Sequence, residues 1–152
     1  MVCLALWVVA TCRLEIDATP ENLKRAPGAA LDVEFLVQML QLRYAGEDPS
    51  LRVPNTAAAL AALYAAGRLS GADYEFFTAG YGFLRALKSR LRLLSLTARN
   101  DLPTDAIELA KLARSLDYRD AEELLSDYRR HTQRIRQRYE QLMAEQGEPA
   151  VG

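Results

Sequence analysis

Histidine and cysteine are almost absent from this sequence of 152 residues, which has one histidine, His131, and two cysteines, Cys3 and Cys12. A single histidine cannot supply both a catalytic base and the group that orients it. The two cysteines lie near the N-terminus, and no second cysteine pair completes a metal-ligand pattern. The sequence therefore gives no sign of histidine or thiol catalysis, and we expect no metal site in it.

Catalytic motifs and an excess of either charge are lacking as well. The sequence has no glycine-rich phosphate loop, no HExxH segment and no CxxC segment. Its formal net charge is −1 and its isoelectric point is about 5.9. No overall attraction to nucleic acid or to a membrane is expected at this charge, so neither is expected as a partner.

The N-terminus is a short apolar run, MVCLALWVVAT. Its roughly ten residues are too few to span a bilayer, and it lacks the positively charged start and the small-residue cleavage site of a secretory signal. We therefore expect a cytoplasmic protein with reduced thiols. The run fits the remainder poorly, and either packs on another polypeptide or is foreign to the ancestral protein.

Helical periodicity dominates the rest of the chain. Capping residues and breakers predict five helices, at about residues 31–44, 56–66, 70–96, 104–116 and 120–144. The third and the fifth are long, and no convincing internal strand occurs. The predicted fold is an all-α bundle, with an N-terminal segment that is irregular or a lone strand. The predicted division is an atypical apolar segment and linker at 1–23, the bundle at 24–145, and a disordered tail at 146–152.

The first helix, LDVEFLVQMLQLRY, is apolar around nearly its whole circumference, which is typical of a buried helix. Glu34, Gln38 and Gln41 follow at steps of four and three, which places them on one face. Each buried polar group without a partner costs roughly 1–3 kcal/mol. The helix therefore either crosses a bundle with a satisfied polar seam or lines a cleft, and the sequence leaves both open.

Asp32 and Glu34 are the only carboxylates placed like functional ones. Two positions apart on a helix, they point in different directions and cannot act as a jointly directed pair. The structural interpretation gives Asp32 a capping role and Glu34 a buried ion pair with Arg43, Arg85 or Arg90. From spacing alone this interpretation is favoured over a functional one, since structural ion pairs are common.

Two helices carry many cationic side chains, which we interpret mainly as solvated faces. In the third helix these cationic side chains are Arg85, Lys88, Arg90 and Arg92. In the fifth helix they surround His131 and are Arg129, Arg130, Arg134, Arg136 and Arg138. The arginines of the fifth helix could instead bind phosphates or an acidic patch of a partner, because a positive face attracts anions. A stand-alone enzyme built on Glu34 and His131 would lack a convergent set of acid, base and stabilising group.

The segment NLKRAPGAALDVEFLVQMLQLRYA resembles the K-x-G-x-G-G-h-h-D-h-E-F-h-V-Q pattern of glutamine synthetase adenylyltransferases, in which h is a hydrophobic residue. The similarity continues, in the order of that family, through LRVPNTAAALAALYAAGRLS, YGFLRALKSRLRLL and DLPTDAIELAKLARSLDY. It covers most of the chain, about residues 13–143. Members of this family are nucleotidyltransferases that adenylylate glutamine synthetase and also remove the adenylyl group.

The resemblance implies that this chain is the helical domain that follows the catalytic nucleotidyltransferase domain. That catalytic domain carries an Asp-x-Asp pair for magnesium, and the present sequence has no such motif. ATP and Mg²⁺ would serve the intact enzyme, no cofactor is expected for this chain alone, and its own enzymatic status is left open. We expect a fragment without a catalytic centre that supports the catalytic domain or contacts glutamine synthetase. The alternative is a non-catalytic helical protein-interaction module.

By the same resemblance, four residues would face the cleft of the catalytic domain and bind its cofactor: Lys24, Asp32, Glu34 and Gln38. The Gly-Gly pair of the family is replaced here by Ala29 and Ala30. Alanine disfavours a positive φ and a close approach of the backbone to a nucleotide.

Overall fold

The computed structural model describes residues 18–95 and 100–147, in which five α-helices follow one another. They are α1 (Ala30–Tyr44), α2 (Thr56–Ala65), α3 (Gly71–Ser95), α4 (Ala106–Ser115) and α5 (Ala121–Gly147), with a short 3₁₀ helix at Pro49–Leu51. The only strand-like pairing in the described residues is an isolated antiparallel bridge between Asn22 and Asp101. The predicted all-α bundle with two long helices is confirmed.

Two of the predicted segments lie outside the described residues, wholly or in part. The apolar run falls within residues 1–17 and most of the predicted tail within 148–152. The predictions for these residues stay predictions. Helix α5 continues to Gly147, beyond Ala144, where the sequence predicts fraying.

Polar side chains at the predicted positions cap four of the five helices. The side chain of Asn55 accepts a hydrogen bond from the backbone of the first turn of α2. Ser70 Oγ does the same for α3, Asp105 for α4 and Asp120 for α5. Because the first N–H groups of a helix have no partner within it, these side chains set where each helix begins.

Helix α1 lies at the centre of the bundle and packs against α2, α3 and α5. The apolar side chains that these helices bury recur at helical spacing. They include Val33, Leu36, Leu40, Leu60, Phe77, Leu84, Leu87, Tyr128 and Ile135. Burial of one leucine or phenylalanine contributes roughly 1.5–3 kcal/mol. The core therefore fixes the rotation of α1, and with it the direction of its polar residues.

Three apolar side chains that the sequence predicts to be buried lie at the surface. Leu42, Leu94 and Ile107 are 74%, 48% and 67% exposed. Periodicity identifies residues that share a face, but it does not tell whether another element covers that face. The expectation that α1 is buried all round is wrong, because its neighbours leave the side of Leu42 open.

The turn before α1 packs closely against α5 at Gly28. The φ of Gly28 is +77°, and a Cβ at this position would lie 1.8 Å from the carbonyl oxygen of Thr132. Ala29, in contrast, has φ −81°, and Ala30 is the first residue of α1. The two alanines that replace the glycine pair of the family pattern therefore sit here without backbone strain.

Candidate functional site

A cleft of about 710 Å³ opens between α1, α3 and the turn that begins α2. Two of the four residues singled out in the sequence, Lys24 and Glu34, line it. Helix α3 contributes three cationic side chains, Arg85, Lys88 and Arg92, which we call the basic row. These three are spaced by three and four residues and therefore share one face of α3. In this cleft, Lys24 and Glu34 lie beside cations that were expected to form a solvated face.

Glu34 is half-buried, and its partner is a tyrosine. The hydroxyl of Tyr81 donates a hydrogen bond to Glu34 Oε1 at 3.4 Å. Burial raises the pKa of Tyr81, the neighbouring Thr56 hydroxyl lowers it, and the charge of Glu34 raises it, so the hydroxyl remains a donor. Among the described residues no arginine forms an ion pair with Glu34. The ion pair of the structural interpretation is therefore not formed.

The cations of the cleft outnumber its carboxylates. Among the described residues that line the cleft, Lys24 and the basic row face a single acidic side chain, Glu34. Lys88 is half-buried, and burial lowers its pKa, as do the charges of Arg92 and Lys24, while Glu34 raises it. No ion pair within the described part of the chain neutralises these four cations. The cleft is thus a region of positive potential, which attracts anions.

Asp32 does not line this cleft. Its side chain is buried, and Oδ2 accepts a hydrogen bond from the backbone N–H of Gly28 at 2.7 Å. The same oxygen lies 3.3 Å from Nη1 of Arg136 on α5. Asp32 fastens the turn before α1 to α5 and places a negative charge in the first turn of α1, where it stabilises the helix. The structural interpretation of Asp32 agrees with these contacts.

Gln38 lies one turn beyond Glu34 and is exposed. It borders a second depression together with Leu42, Val53 and Pro54, and Pro54 lines the cleft as well. Gln41 donates hydrogen bonds to the carbonyl oxygens of Leu51 and Val53 at 2.7 and 2.8 Å. The polar line of α1 is therefore divided among a cleft residue, a surface residue and a residue that holds the loop before α2.

The arginines of α5 are largely occupied by carboxylates. Arg136 pairs with Asp32 and Glu140, and Arg138 contacts Asp73 through two nitrogens, at 2.6 and 2.8 Å. His131 stacks on the ring of Phe83 with centroids 4.2 Å apart, and its Nε2 lies 3.8 Å from Asp127. Burial lowers the pKa of His131, against the raising effect of Asp127. We assign these side chains to packing.

The arrangement of the cleft suits the binding of an anion more than acid–base chemistry. Among the described lining residues, the carboxylate of Glu34 has no second acidic or imidazole group beside it. No cluster of three or more His, Cys, Asp or Glu side chains capable of holding a metal ion occurs in the described parts of the chain. None of the described helices combines the length and the hydropathy that a membrane crossing requires.

Sequence reasoning missed the basic row as a site feature. The signal was present, because the spacing of Arg85, Lys88 and Arg92 places them on one helix face. What the sequence does not contain is the partner of that face. Lys24 and Glu34 are distant from α3 in sequence, and only the fold brings them to the cleft that this face of α3 lines.

Comparison with known proteins finds a matching family model and several similar enzymes. Residues 14–143 match the family model described as GlnD PII-uridylyltransferase. A bifunctional glutamine synthetase adenylyltransferase/adenylyl-removing enzyme from Stenotrophomonas maltophilia (strain K279a) is 36% identical over 124 residues, which are 82% of this chain and 13% of that protein. The enzyme of the same description from Streptomyces avermitilis is 38% identical over 80% of this chain and 12% of its own length.

A third relative, the enzyme of that description from Mycobacterium bovis, is 46% identical over 87 residues, 57% of this chain and 9% of its own length. The chain therefore spans only a small part of the curated relatives that it matches. The resemblance found in the sequence is confirmed by these matches.

Proposed function

Because the chain belongs to the GlnD PII-uridylyltransferase family, we propose that it is a helical accessory domain of a nucleotidyltransferase that adenylylates and deadenylylates glutamine synthetase. In this role it packs beside the catalytic domain in the cytoplasm and turns its cleft toward the nucleotide-binding centre. The proposal extends to this chain what the names of its relatives say of them. Glutamine synthetase is the second proposed partner.

The observation that carries the proposal is the shared cleft of Lys24 and Glu34. The resemblance assigns both residues to the face that meets the catalytic domain. Their convergence in one cleft is what such a face requires, while Asp32 contributes by holding α1 in place. Gln38, one turn away on α1, borders the neighbouring depression and does not line the cleft.

The intact enzyme would use ATP and Mg²⁺, and the residues of the cleft fit only the ATP. Phosphate groups of ATP suit Lys24 and the basic row, because lysine and arginine are the usual partners of phosphate. Mg²⁺ requires several oxygen ligands, and Glu34 is the one carboxylate in the described part of the lining. Ligands for Mg²⁺ would therefore come from the catalytic domain, and we propose that this chain alone does not transfer AMP.

The experiment that tests the proposal is a calorimetric titration of the full chain against a separately expressed catalytic domain of a relative. Lys24→Ala should weaken the association about tenfold, a change of 1.4 kcal/mol. Lys111→Ala is the matched control, because Lys111 lies exposed on α4 and does not line the cleft. Absence of binding, or equal weakening by both variants, would overturn the proposed orientation.

A second experiment tests whether the chain alone is catalytically inert. The chain alone, with ATP, Mg²⁺ and glutamine synthetase, should give no adenylylated product, because it has no Asp-x-Asp motif. Detectable AMP transfer would contradict this part of the proposal.

The alternative is a non-catalytic helical protein-interaction module, and one observation favours it. Leu42 is 74% exposed beside Val53 and Pro54, which form an apolar depression on the outer side of α1. In that case Leu42→Ser should abolish the capture of glutamine synthetase, whereas Lys24→Ala should leave it unchanged. Binding to glutamine synthetase with no binding to the catalytic domain would decide for this alternative.

A further inference from the structure

The cleft carries more positive charge than the fold itself requires. In the lining that the structure describes, its four cations, Lys24 and the basic row, are accompanied by one carboxylate. Two of them, Lys88 and Arg92, are four residues apart on one helix, where like charges repel and destabilise the helix. Within the described residues none of the four forms an ion pair, although Arg85 lies over the ring of Tyr81, so their charge is available to a ligand.

The geometry of the cluster limits the kind of anion. From Arg85 to Arg92 the basic row extends over seven residues, roughly 10 Å along the helix axis at 1.5 Å per residue. Lys24 approaches from the segment before α1 and is close enough to Lys88 to lower its pKa. One phosphate or one carboxylate would reach only part of this row. A ligand with several linked negative groups would reach all of it.

We propose that the cleft binds a chain of two or more linked phosphates, held between the basic row on α3 and Lys24. The inference deepens the proposed function and rests on it, because a nucleotide in the catalytic domain would be the natural source of such a chain. The residues that do the binding are Lys24, Arg85, Lys88 and Arg92. Arginine supplies paired N–H donors to phosphate oxygens, and lysine acts as a point charge.

Glu34 has a defined part in this site. Its carboxylate lies in the same cleft and is held by the hydroxyl of Tyr81 at 3.4 Å. A carboxylate repels phosphate, so it weakens the binding of the anion and favours release. Removal of its charge should therefore strengthen binding, which is the opposite of what removal of a cation does.

The test uses the full chain and inorganic triphosphate, titrated by calorimetry at low salt without the catalytic domain. The wild-type chain should bind triphosphate more tightly than monophosphate. Arg92→Gln should weaken triphosphate binding about tenfold, as expected for loss of one charge-assisted contact. Arg90→Gln should change it less than about twofold, because Arg90 lies on the same helix but outside the cleft lining. These two variants remove the same charge by the same substitution.

Glu34→Gln supplies the test with the opposite sign, and tighter triphosphate binding is the expected result. Arg92 and Glu34 both line the cleft. Thermal unfolding of each variant verifies that the bundle is intact. No binding of triphosphate, or equal losses in Arg92→Gln and Arg90→Gln, would overturn the inference. A chain that binds the catalytic domain but not triphosphate would leave the proposed function standing while refuting this site. Triphosphate binding without binding to the catalytic domain would do the reverse.

Discussion

Helices α3 and α5 are both long and rich in cations, yet the fold uses their charges differently. On α5, Arg136 contacts Asp32 and Arg138 contacts Asp73, so two arginines connect α5 to α1 and α3. On α3, the basic row faces a cleft in which no carboxylate of the described chain pairs with it. The neighbours of each helix, and not its own sequence, decide whether an arginine is structural or free to bind.

The same contrast holds for backbone packing. On the α5 side the turn before α1 comes so close that Gly28 has no space for a side chain. On α3 the packing varies along the helix: a Cβ at Gly80 would lie 2.8 Å from Cδ1 of Ile135, whereas at Gly82 no described residue lies within 4 Å. We call the contact between this turn and α5 the closed side of the bundle, and the cleft of the basic row the open side.

The largest effect is expected for Gly28→Ala. The new Cβ would overlap the Thr132 carbonyl and would require a left-handed backbone from alanine. We expect a loss of about 3 kcal/mol in the free energy of unfolding, from strain and overpacking together. Urea denaturation measures it. Gly82→Ala is the control and should gain about 0.5–1 kcal/mol, because alanine is the better helix former. An unchanged midpoint for Gly28→Ala would refute the close approach.

The next effect is expected for Arg138→Met, which removes a cation but keeps much of the apolar stem. Asp73, 7% exposed, would lose both hydrogen bonds from the guanidinium. Asp73 would keep the hydrogen bond from Ser70 Oγ at 2.8 Å, but the loss of its charged partner costs about 2 kcal/mol. Arg90→Met, an exposed site on α3, should change the free energy of unfolding by less than about 0.5 kcal/mol. Equal effects in the two variants would mean that the pair with Asp73 contributes nothing.

Acid should weaken the same contact in the wild-type chain. The hydrogen bond from Arg138 lowers the pKa of Asp73 below its ordinary value of 3.8, although burial acts in the opposite direction. A lowered folded-state pKa contributes stability that is fully present above pH 3.8 and is lost as the pH falls through the folded pKa. Arg138→Met should therefore lose less stability than the wild type between neutral and strongly acid pH. Parallel pH profiles of the two proteins would contradict this assignment.

Much of the fold could be predicted from the sequence because its signals are local. Asn55, Ser70, Asp105 and Asp120 mark helix starts through hydrogen bonds to backbone groups only a few residues away. Burial was predicted less well. Leu42 and Ile107 have the right spacing for a buried face, but they stay exposed because none of the described elements covers them.

The site was predictable only in part, for a physical reason. Lys24 and Glu34 were identified through a resemblance, and both lie in the cleft. Asp32 and Glu34 are two positions apart and so face different neighbours, one toward Arg136 and one toward Tyr81. Which cations remain unpaired depends on which carboxylates the folded chain brings near them, and that is a tertiary property.

The smallest effect is expected on the open side, and its sign is informative. Arg92→Gln removes one of two like charges four residues apart, so it should raise the free energy of unfolding by about 0.3 kcal/mol at low salt. Arg136→Gln, the matched change on α5, should lower it, because it removes the partner of the buried Asp32. High salt should erase the small gain of Arg92→Gln, since exposed charges are screened. If Arg92→Gln is instead destabilising at low salt, the basic row supports the fold, and its charge is not free for a ligand.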